Sequence, residues 1–169
     1  YNELHWPYHS PFENFFDEKD LGRHDFNTLG DGKFTRGDLI FGHIRLPKEE
    51  VDHAIAHYDG NIKYIDSQIG RLIDFMKSRG LYENTLIVLT SDHGENFGEH
   101  NFYFQHGASL YQPSLKVPLV FANKKIIPAD RCVNGKAQLV DIMPTILEIL
   151  RIPLVDSIDG KCLLPLVEG

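Results

Sequence analysis

The chain has 169 residues, and its 17 Lys and Arg against 24 Asp and Glu give a formal net charge of −7 at neutral pH. A chain of this length usually forms one domain, and a hydrophobic fraction of 42% is ordinary for a globular protein. The acidic balance argues against a nucleic-acid partner, because such proteins depend on clustered positive charge. No apolar run approaches the roughly twenty residues that a membrane helix needs, so we expect no membrane span in this chain.

The sequence divides into three segments of one domain: 1–47, 48–122 and 123–169. The first segment is rich in aromatic residues, Pro, Gly, Asp and His, and its lack of periodicity predicts loops with short elements. The second segment begins with apolar residues at alternating steps of three and four from Val51 to Met76, which predict one face of a long helix. Gly80 follows and is placed to leave that helix in a left-handed conformation.

Two apolar, β-favouring runs predict strands at Thr85–Thr90 and Val117–Ala122. The first run is apolar without alternation, as in a strand that is covered on both faces. Because a long helix precedes it, we expect an α/β fold with a mainly parallel sheet flanked by helices. In the third segment, Asp141 is placed to cap a helix at Ile142–Leu150, and a tail rich in Pro and Gly follows.

The stretch after the first predicted strand collects residues that can carry chemistry. Residues 91–107 contain three histidines, three glycines and several carboxylates. In open α/β sheets, ligands bind beyond the carboxyl ends of the strands, where Asp92 and His93 can both reach one cation and Gly94 allows a sharp bend. Taken alone, a loop of this composition is more typical of a solvated turn than of a metal site.

The run Ser91-Asp-His-Gly-Glu95, followed by Gly98-Glu-His100, resembles the second metal-binding motif of sulfatases and of related phosphonate and phosphodiester hydrolases in the alkaline-phosphatase superfamily. Four other stretches resemble the same family in the same order: 58–72, 110–119, 140–145 and 159–165. The resemblance runs from His5 to Pro165 and is specific as an ordered set. It implies an alkaline-phosphatase/sulfatase-like fold that is incomplete in this chain.

By position, the resemblance implies that Asp92 and His93 ligate one catalytic divalent metal ion. Many relatives have Asn at the second position, which gives an all-oxygen site suited to Ca²⁺. The imidazole of His93 shifts the preference toward Mn²⁺ or Zn²⁺. Between these tendencies, we expect Ca²⁺ or Mn²⁺ ahead of Zn²⁺. Glu95, Glu99 and His100 are instead expected to form hydrogen bonds within the loop or to face solvent.

The resemblance also implies two catalytic histidines. His106 matches the position where relatives place a Lys or His that contacts sulfate or phosphate oxygens, so it would stabilise charge as the transferring group departs. His5 lies in a segment that resembles the family's His-x-Pro run, whose His hydrogen-bonds the ester oxygen and can protonate the leaving group. A structural role for His5, packed among aromatic residues, is equally open.

The family's nucleophile has no counterpart in this sequence. Relatives carry it in a short N-terminal motif, as formylglycine made from Cys or Ser or as an unmodified Ser or Thr, and a further Asp pair completes the metal site. Neither Cys132 nor Cys162 fits the modification motif. The chain, which starts at Tyr1 without an initiator Met, is therefore expected to be the C-terminal part of a sulfatase-like catalytic domain. Formylglycine would then lie in the missing N-terminal half, and the chain alone should be inactive.

Three functions are open at this point. The leading hypothesis is a metal-dependent sulfuric ester hydrolase that acts on a small-molecule or glycan sulfate ester. The second keeps the fold and the metal but acts on a phosphonate monoester or phosphodiester, or transfers a phosphoryl group. The third is a non-catalytic binding module. As partners we expect the missing N-terminal half and, because its absence exposes strand edges, a second copy of the chain.

Overall fold

The computed structural model describes residues 4–6, 8, 11–12, 35–154 and 157–168. Most of the predicted loop-rich segment 1–47 therefore lies outside the described residues. The chain forms two compact units, the first unit being Tyr1–Arg79 with His93–Val117 and the second unit being Gly80–Asp92 with Pro118–Gly169. The helices and strands, in chain order, are α1 Arg36–Ile40, α2 Lys48–Ser78, β1 Ile87–Thr90, β2 Asn96–Phe97, β3 Tyr103–Gln105, α3 Gln112–Leu115, β4 Leu119–Ala122, α4 Ile142–Ile149 and α5 Leu164–Glu168.

Helix α2 is the longest described element and confirms the helix predicted from the apolar periodicity. It extends a few residues beyond the apolar stripe at each end. Glu49 and Glu50 occupy its first turn and Lys77 its last, which suits the helix dipole. Gly80 follows with a φ of +68°, the left-handed conformation predicted for it.

Burial along α2 is uneven. The buried residues all lie in its N-terminal half: His53, Ala54, Gly60 and Asn61. Toward the C-terminal end the apolar stripe emerges, and Leu72 and Phe75 are 54% and 53% exposed. The described residues therefore cover only part of the apolar face of this helix. Neither α2 nor any other described helix is both long and apolar enough to cross a membrane.

The hydrophobic core of the first unit is built largely from aromatic side chains. Its buried members and the partly buried side chains that pack on them are Tyr8, Leu39, Leu46, Ala54, Tyr103 and Phe104, with Trp6, Ile44, Val51, Tyr58 and Phe97. Helix α1 starts at a capping box in which Thr35 and Asp38 accept hydrogen bonds from each other's backbone amides. The Leu46 amide donates a hydrogen bond to the Tyr103 hydroxyl at 3.3 Å. These contacts join distant parts of the sequence in one core.

The described strands pair in two antiparallel ribbons. In the second unit β1 pairs with β4, so that Ile87 lies opposite Ala122 and Thr90 opposite Leu119. Both strands lie within their predicted apolar runs. In the first unit β2 pairs with β3, also antiparallel. The expected mainly parallel sheet is therefore not found among the described strands, because an apolar run predicts burial but does not fix the direction of the neighbouring strand.

Helix α4 confirms the predicted C-terminal helix, but its capping residue works differently from the prediction. Asp141 occupies the N-cap position, yet its carboxylate accepts hydrogen bonds from the backbone amides of Gln138 and Lys161, each at 2.8 Å. The Thr145 hydroxyl similarly accepts from the Leu163 amide at 2.9 Å. These buried side chains therefore tie the start of α4 to the C-terminal tail, instead of satisfying the helix's own amides.

Candidate functional site

The β2–β3 ribbon and the residues just before it form the loop that carries the candidate chemistry. The pairing of the two strands is irregular, and Phe104 has a φ of +51°, which is rare for a bulky side chain. The buried Asn96 amide group donates hydrogen bonds to the Gln105 carbonyl at 2.8 Å and to the Ser114 hydroxyl at 2.6 Å. The hydrogen bonds of Asn96 and the irregular pairing of β2 with β3 fix the direction in which the chain continues to His106.

Three histidines of the first unit meet beside this loop. One ring nitrogen from each of His5, His93 and His106 lies within 4.8 Å of the other two. The rings of His93 and His106 are stacked, with centroids 3.6 Å apart and planes at 15°. The ring of His5 meets both edge-on, with its centroid 5.5 Å from that of His93 and 5.1 Å from that of His106. We call these three residues the histidine cluster.

Aromatic contacts hold the N-terminal segment of His5 against the loop. The ring of Trp6 stacks on that of Phe104, with centroids 4.2 Å apart and planes at 14°. Tyr8 is 3% exposed and meets Tyr58 of α2 edge-on at 5.3 Å. Trp6 and Tyr8, which follow His5, and the residues just before His106 therefore share one packed core, and this packing places His5 in the cluster.

Asp92, the other predicted metal ligand, is not a member of the histidine cluster among the described residues. It is exposed and is the last residue of its segment in the second unit, whereas His93 begins a segment of the first unit. The described group of potential ligands consists of the three histidines and does not include Asp92. The metal pair of Asp92 and His93 therefore stays a prediction.

The ring of His93 is oriented as metal-binding histidines commonly are. Its Nδ1 donates a hydrogen bond to the Gly94 carbonyl at 2.8 Å, since a carbonyl can only accept. In the neutral ring this places the lone pair on Nε2. Ligating histidines typically bond a carbonyl or carboxylate through their other nitrogen, so His93 fits a divalent metal ligand.

Gly94 is required by close backbone packing. Its amide donates a hydrogen bond to the Ser114 carbonyl at 2.8 Å. A Cβ atom built on Gly94 would lie 1.9 Å from the Pro113 carbonyl oxygen, much closer than two such atoms can approach. Any side chain here would push apart the two segments that position His93.

We therefore expect Gly94→Ala to lower the free energy of unfolding by about 1–3 kcal/mol, because the backbone must move to admit the methyl group. Gly70→Ala is the matched control, since nothing lies within 4 Å of a Cβ at this position in α2. Alanine there should raise stability by up to about 1 kcal/mol through its helix propensity. Urea unfolding of both variants measures the difference, and equal stabilities would show that the contact with Pro113 places no constraint on the loop.

Glu95 is buried beside the histidine cluster, so it does not face solvent, and the Asn96 amide of the same loop donates a hydrogen bond to its carboxylate. Its side chain is 3% exposed, and its Oε1 lies 3.5 Å from Nδ1 of His106. Burial raises the pKa of Glu95 to about 7, although the Asn96 amide, the His93 ring and the Tyr8 hydroxyl oppose this rise. Burial, together with the nearby Glu95 carboxylate, raises the pKa of Tyr8.

Glu99 and His100 behave as expected of loop residues that form hydrogen bonds within the loop or face solvent. The Phe97 amide donates a hydrogen bond to Oε2 of Glu99 at 2.7 Å. His100 has a φ of +55° and stacks on Tyr111, with ring centroids 3.6 Å apart. Both residues are exposed and lie outside the histidine cluster. No local sequence signal separates them from Glu95, because burial depends on contacts with residues such as Tyr8 that are distant in the chain.

A family model described as Sulfatase matches residues 2–152, which is most of the chain. The chain therefore belongs to the sulfatase family, within the alkaline-phosphatase superfamily. It is 34% identical over 151 residues to the multifunctional alkaline phosphatase superfamily protein PehA of Trinickia caryophylli, covering 88% of this chain and 29% of that protein. It is also 34% identical over 122 residues to arylsulfatase K of Homo sapiens, covering 72% of this chain and 22% of that protein.

Solved structures agree with the family assignment. The phosphonate monoester hydrolase of Agrobacterium radiobacter superposes with a TM-score of 0.67 at 30% identity, over 82% of this chain and 26% of that one. The fold class is thus the alkaline-phosphatase-like α/β fold. The chain spans about a quarter of the length of these relatives.

Proposed function

We propose that this chain contributes part of the active site of a metal-dependent sulfuric ester hydrolase and that the nucleophile comes from residues outside it. The observation that carries the proposal is the meeting of His5, His93 and His106 within 4.8 Å. These are three of the four residues to which the resemblance assigns metal or substrate contacts. Membership of the sulfatase family supports the sulfate ester as the substrate class.

His106 is proposed to stabilise negative charge on the transferring sulfate group. The Glu95 carboxylate, 3.5 Å from Nδ1 of His106, favours positive charge on that ring, as this role requires. His5 is proposed to bond the ester oxygen and to protonate the leaving group. Its Nδ1 is buried and has no hydrogen-bond partner among the described residues, so it can serve an incoming polar group.

Asp92 and His93 are the proposed ligands of one divalent metal ion, with Ca²⁺ or Mn²⁺ ahead of Zn²⁺. The hydrogen bond from His93 to the Gly94 carbonyl supports this assignment for His93. When bound, such an ion would supply positive charge that neutralises the transferring group. Formylglycine, if it is the nucleophile, lies in a part of the protein that this chain does not contain. We propose that the same part completes a mainly parallel sheet, so that residues 1–169 form the C-terminal part of one catalytic domain.

A phosphonate monoester or phosphodiester is the second candidate substrate. The names of relatives favour it, since the superposed Agrobacterium radiobacter enzyme is a phosphonate monoester hydrolase and PehA is called multifunctional. The same histidines would serve either reaction, because sulfate and phosphoryl groups both present negatively charged oxygens.

The decisive experiment compares the full-length protein with the 169-residue chain on an aryl sulfate, an aryl phosphonate and an aryl phosphodiester, each with added Ca²⁺, Mn²⁺ or Zn²⁺. We expect the full-length protein to hydrolyse the sulfate fastest and the chain alone to show only background turnover, since it lacks a nucleophile. Faster turnover of the phosphonate or phosphodiester would select the second candidate. A full-length protein without activity on any of the three would favour the binding module, and an active chain would show that it is catalytically self-sufficient.

A further inference from the structure

We propose that His5, His93 and His106 form a binding site for a borderline transition-metal ion of the Zn²⁺ class, with a ligand set that differs from the Asp92 and His93 pair. Three imidazoles and an open fourth position are a donor set that Zn²⁺ accepts in proteins, whereas Ca²⁺ takes oxygen ligands. The three ring nitrogens already lie within 4.8 Å of one another. Three nitrogen donors therefore favour Zn²⁺ over Ca²⁺ at the histidine cluster.

The surroundings of two of the rings match those of metal-binding histidines. Nδ1 of His93 donates to the Gly94 carbonyl at 2.8 Å, and Nδ1 of His106 lies 3.5 Å from the Glu95 carboxylate. A carbonyl or carboxylate behind a ligating histidine orients the ring and raises its basicity. For His93 this hydrogen bond selects the tautomer that presents Nε2 to an ion, and for His106 the nearby carboxylate favours the same tautomer without a hydrogen bond.

Glu95 also supplies a reason for a cation to bind here. Its side chain is 3% exposed, and its Oε1 is buried without a hydrogen-bond partner among the described residues. A buried carboxylate in this position is costly unless positive charge lies nearby. A divalent ion held by the three rings would place positive charge one ring away from Glu95.

Binding requires one local change. The rings of His93 and His106 are stacked at 15°, and two parallel rings cannot direct their lone pairs to the same point. The His106 side chain is 31% exposed, so its ring can turn out of the stack without disturbing a fully packed core. The stack should therefore open when the ion binds.

The site has a regulatory consequence, which rests on the proposed function. If His5 and His106 contact the ester oxygens, an ion held by these two residues occupies the place of the sulfate group. Zn²⁺ should then inhibit the full-length protein in competition with the ester and, because both ligand sets include His93, in competition with the Ca²⁺ or Mn²⁺ that supports catalysis. Binding of the ion itself does not depend on the proposed function.

The first test measures the Zn²⁺ affinity of the metal-free full-length protein by equilibrium dialysis. We expect His5→Ala and His106→Ala each to weaken binding by at least about tenfold, and Glu95→Gln by about 10- to 100-fold, the usual loss for a group that orients a ligand. Asp92→Ala and the control His43→Ala should change it less than about threefold, since neither residue belongs to the cluster. Circular dichroism of each metal-free variant establishes that it is folded.

The second test needs no variant. X-ray absorption at the zinc edge of the loaded full-length protein should count three imidazole nitrogens, and the ring resonances of His5, His93 and His106 should shift while those of the other histidines do not. Absence of Zn²⁺ binding overturns the proposal, as does binding that is lost in Asp92→Ala but kept in His5→Ala and His106→Ala. The latter result would place the ion at the pair proposed for catalysis, and ester hydrolysis by the full-length protein would still decide the proposed function separately.

Discussion

Replacing His106 by alanine in the full-length protein is expected to lower kcat/KM for an aryl sulfate by about 100- to 1,000-fold, the usual loss when one donor to a developing negative charge is removed. The reason is the position of His106, whose ring stacks on that of His93 and lies beside the buried Glu95 carboxylate. The loss should fall mainly on kcat, because charge on the transferring group grows in the transition state.

Two further variants separate charge from packing in this experiment. His106→Lys keeps a positive charge at a position where relatives place Lys or His, so activity should stay within about tenfold of the native protein. His43→Ala is the matched control, since its side chain is 65% exposed and lies outside the histidine cluster. A lysine variant as poor as the alanine variant would show that charge is not the contribution of His106. An alanine variant with native kcat would remove His106 from the reaction.

The second large effect is expected in the assembly of the chain when it is made alone. In the ribbon of β1 and β4, Leu89 lies opposite Val120, and these side chains are 38% and 49% exposed. Among the described strands, β1 and β4 each have one edge without a ladder partner, although the unbroken apolar run of β1 predicts burial on both faces. Exposed apolar strands with open edges promote association, so we expect the chain to self-associate or precipitate.

Sedimentation velocity over a wide range of concentrations measures this association. Val120→Lys places a charge on the exposed face of the ribbon and should reduce it, whereas Ser78→Lys, at the exposed end of α2, makes the same change of charge elsewhere and should not. The full-length protein should be monodisperse under the same conditions. A chain that stays monomeric at every concentration and unfolds cooperatively would mean that its sheet is complete and that residues 1–169 are not part of a larger domain.

Elements that depend on local pattern could be predicted from the sequence. The steps of three and four in the apolar residues specify α2, and the acidic and basic residues at its ends suit the dipole of a helix. The runs that contain β1 and β4 were also readable, because β-branched and apolar residues favour strands. The antiparallel pairing of these strands could not be predicted from the sequence. It joins segments about thirty residues apart and depends on contacts that no local pattern indicates.

The candidate site was predictable only in part, because some of its contacts also join segments that are distant in the sequence. Resemblance selected His5, His93 and His106, and the structure brings these three together. Glu95 belongs to the matching motif, but the resemblance did not indicate its burial beside the cluster, which depends on aromatic residues from another part of the chain. The tight contact of Gly94 with Pro113 could not be predicted either. It involves the backbone of both residues, so no side-chain pattern in the sequence indicates it.

The contact between the rings of His5 and His106 joins residues about one hundred positions apart, with centroids 5.1 Å from each other. Closing so long a loop costs conformational entropy, and the packing of the intervening chain must offset that cost before the rings can meet. The cluster therefore exists only in the folded first unit and disappears when that unit opens. A ligand that binds it must shift the folding equilibrium by mass action, by about 2.7 kcal/mol when its concentration is a hundred times its Kd. Whatever ester or ion this site holds thus also protects the protein from unfolding, and through it from proteolysis.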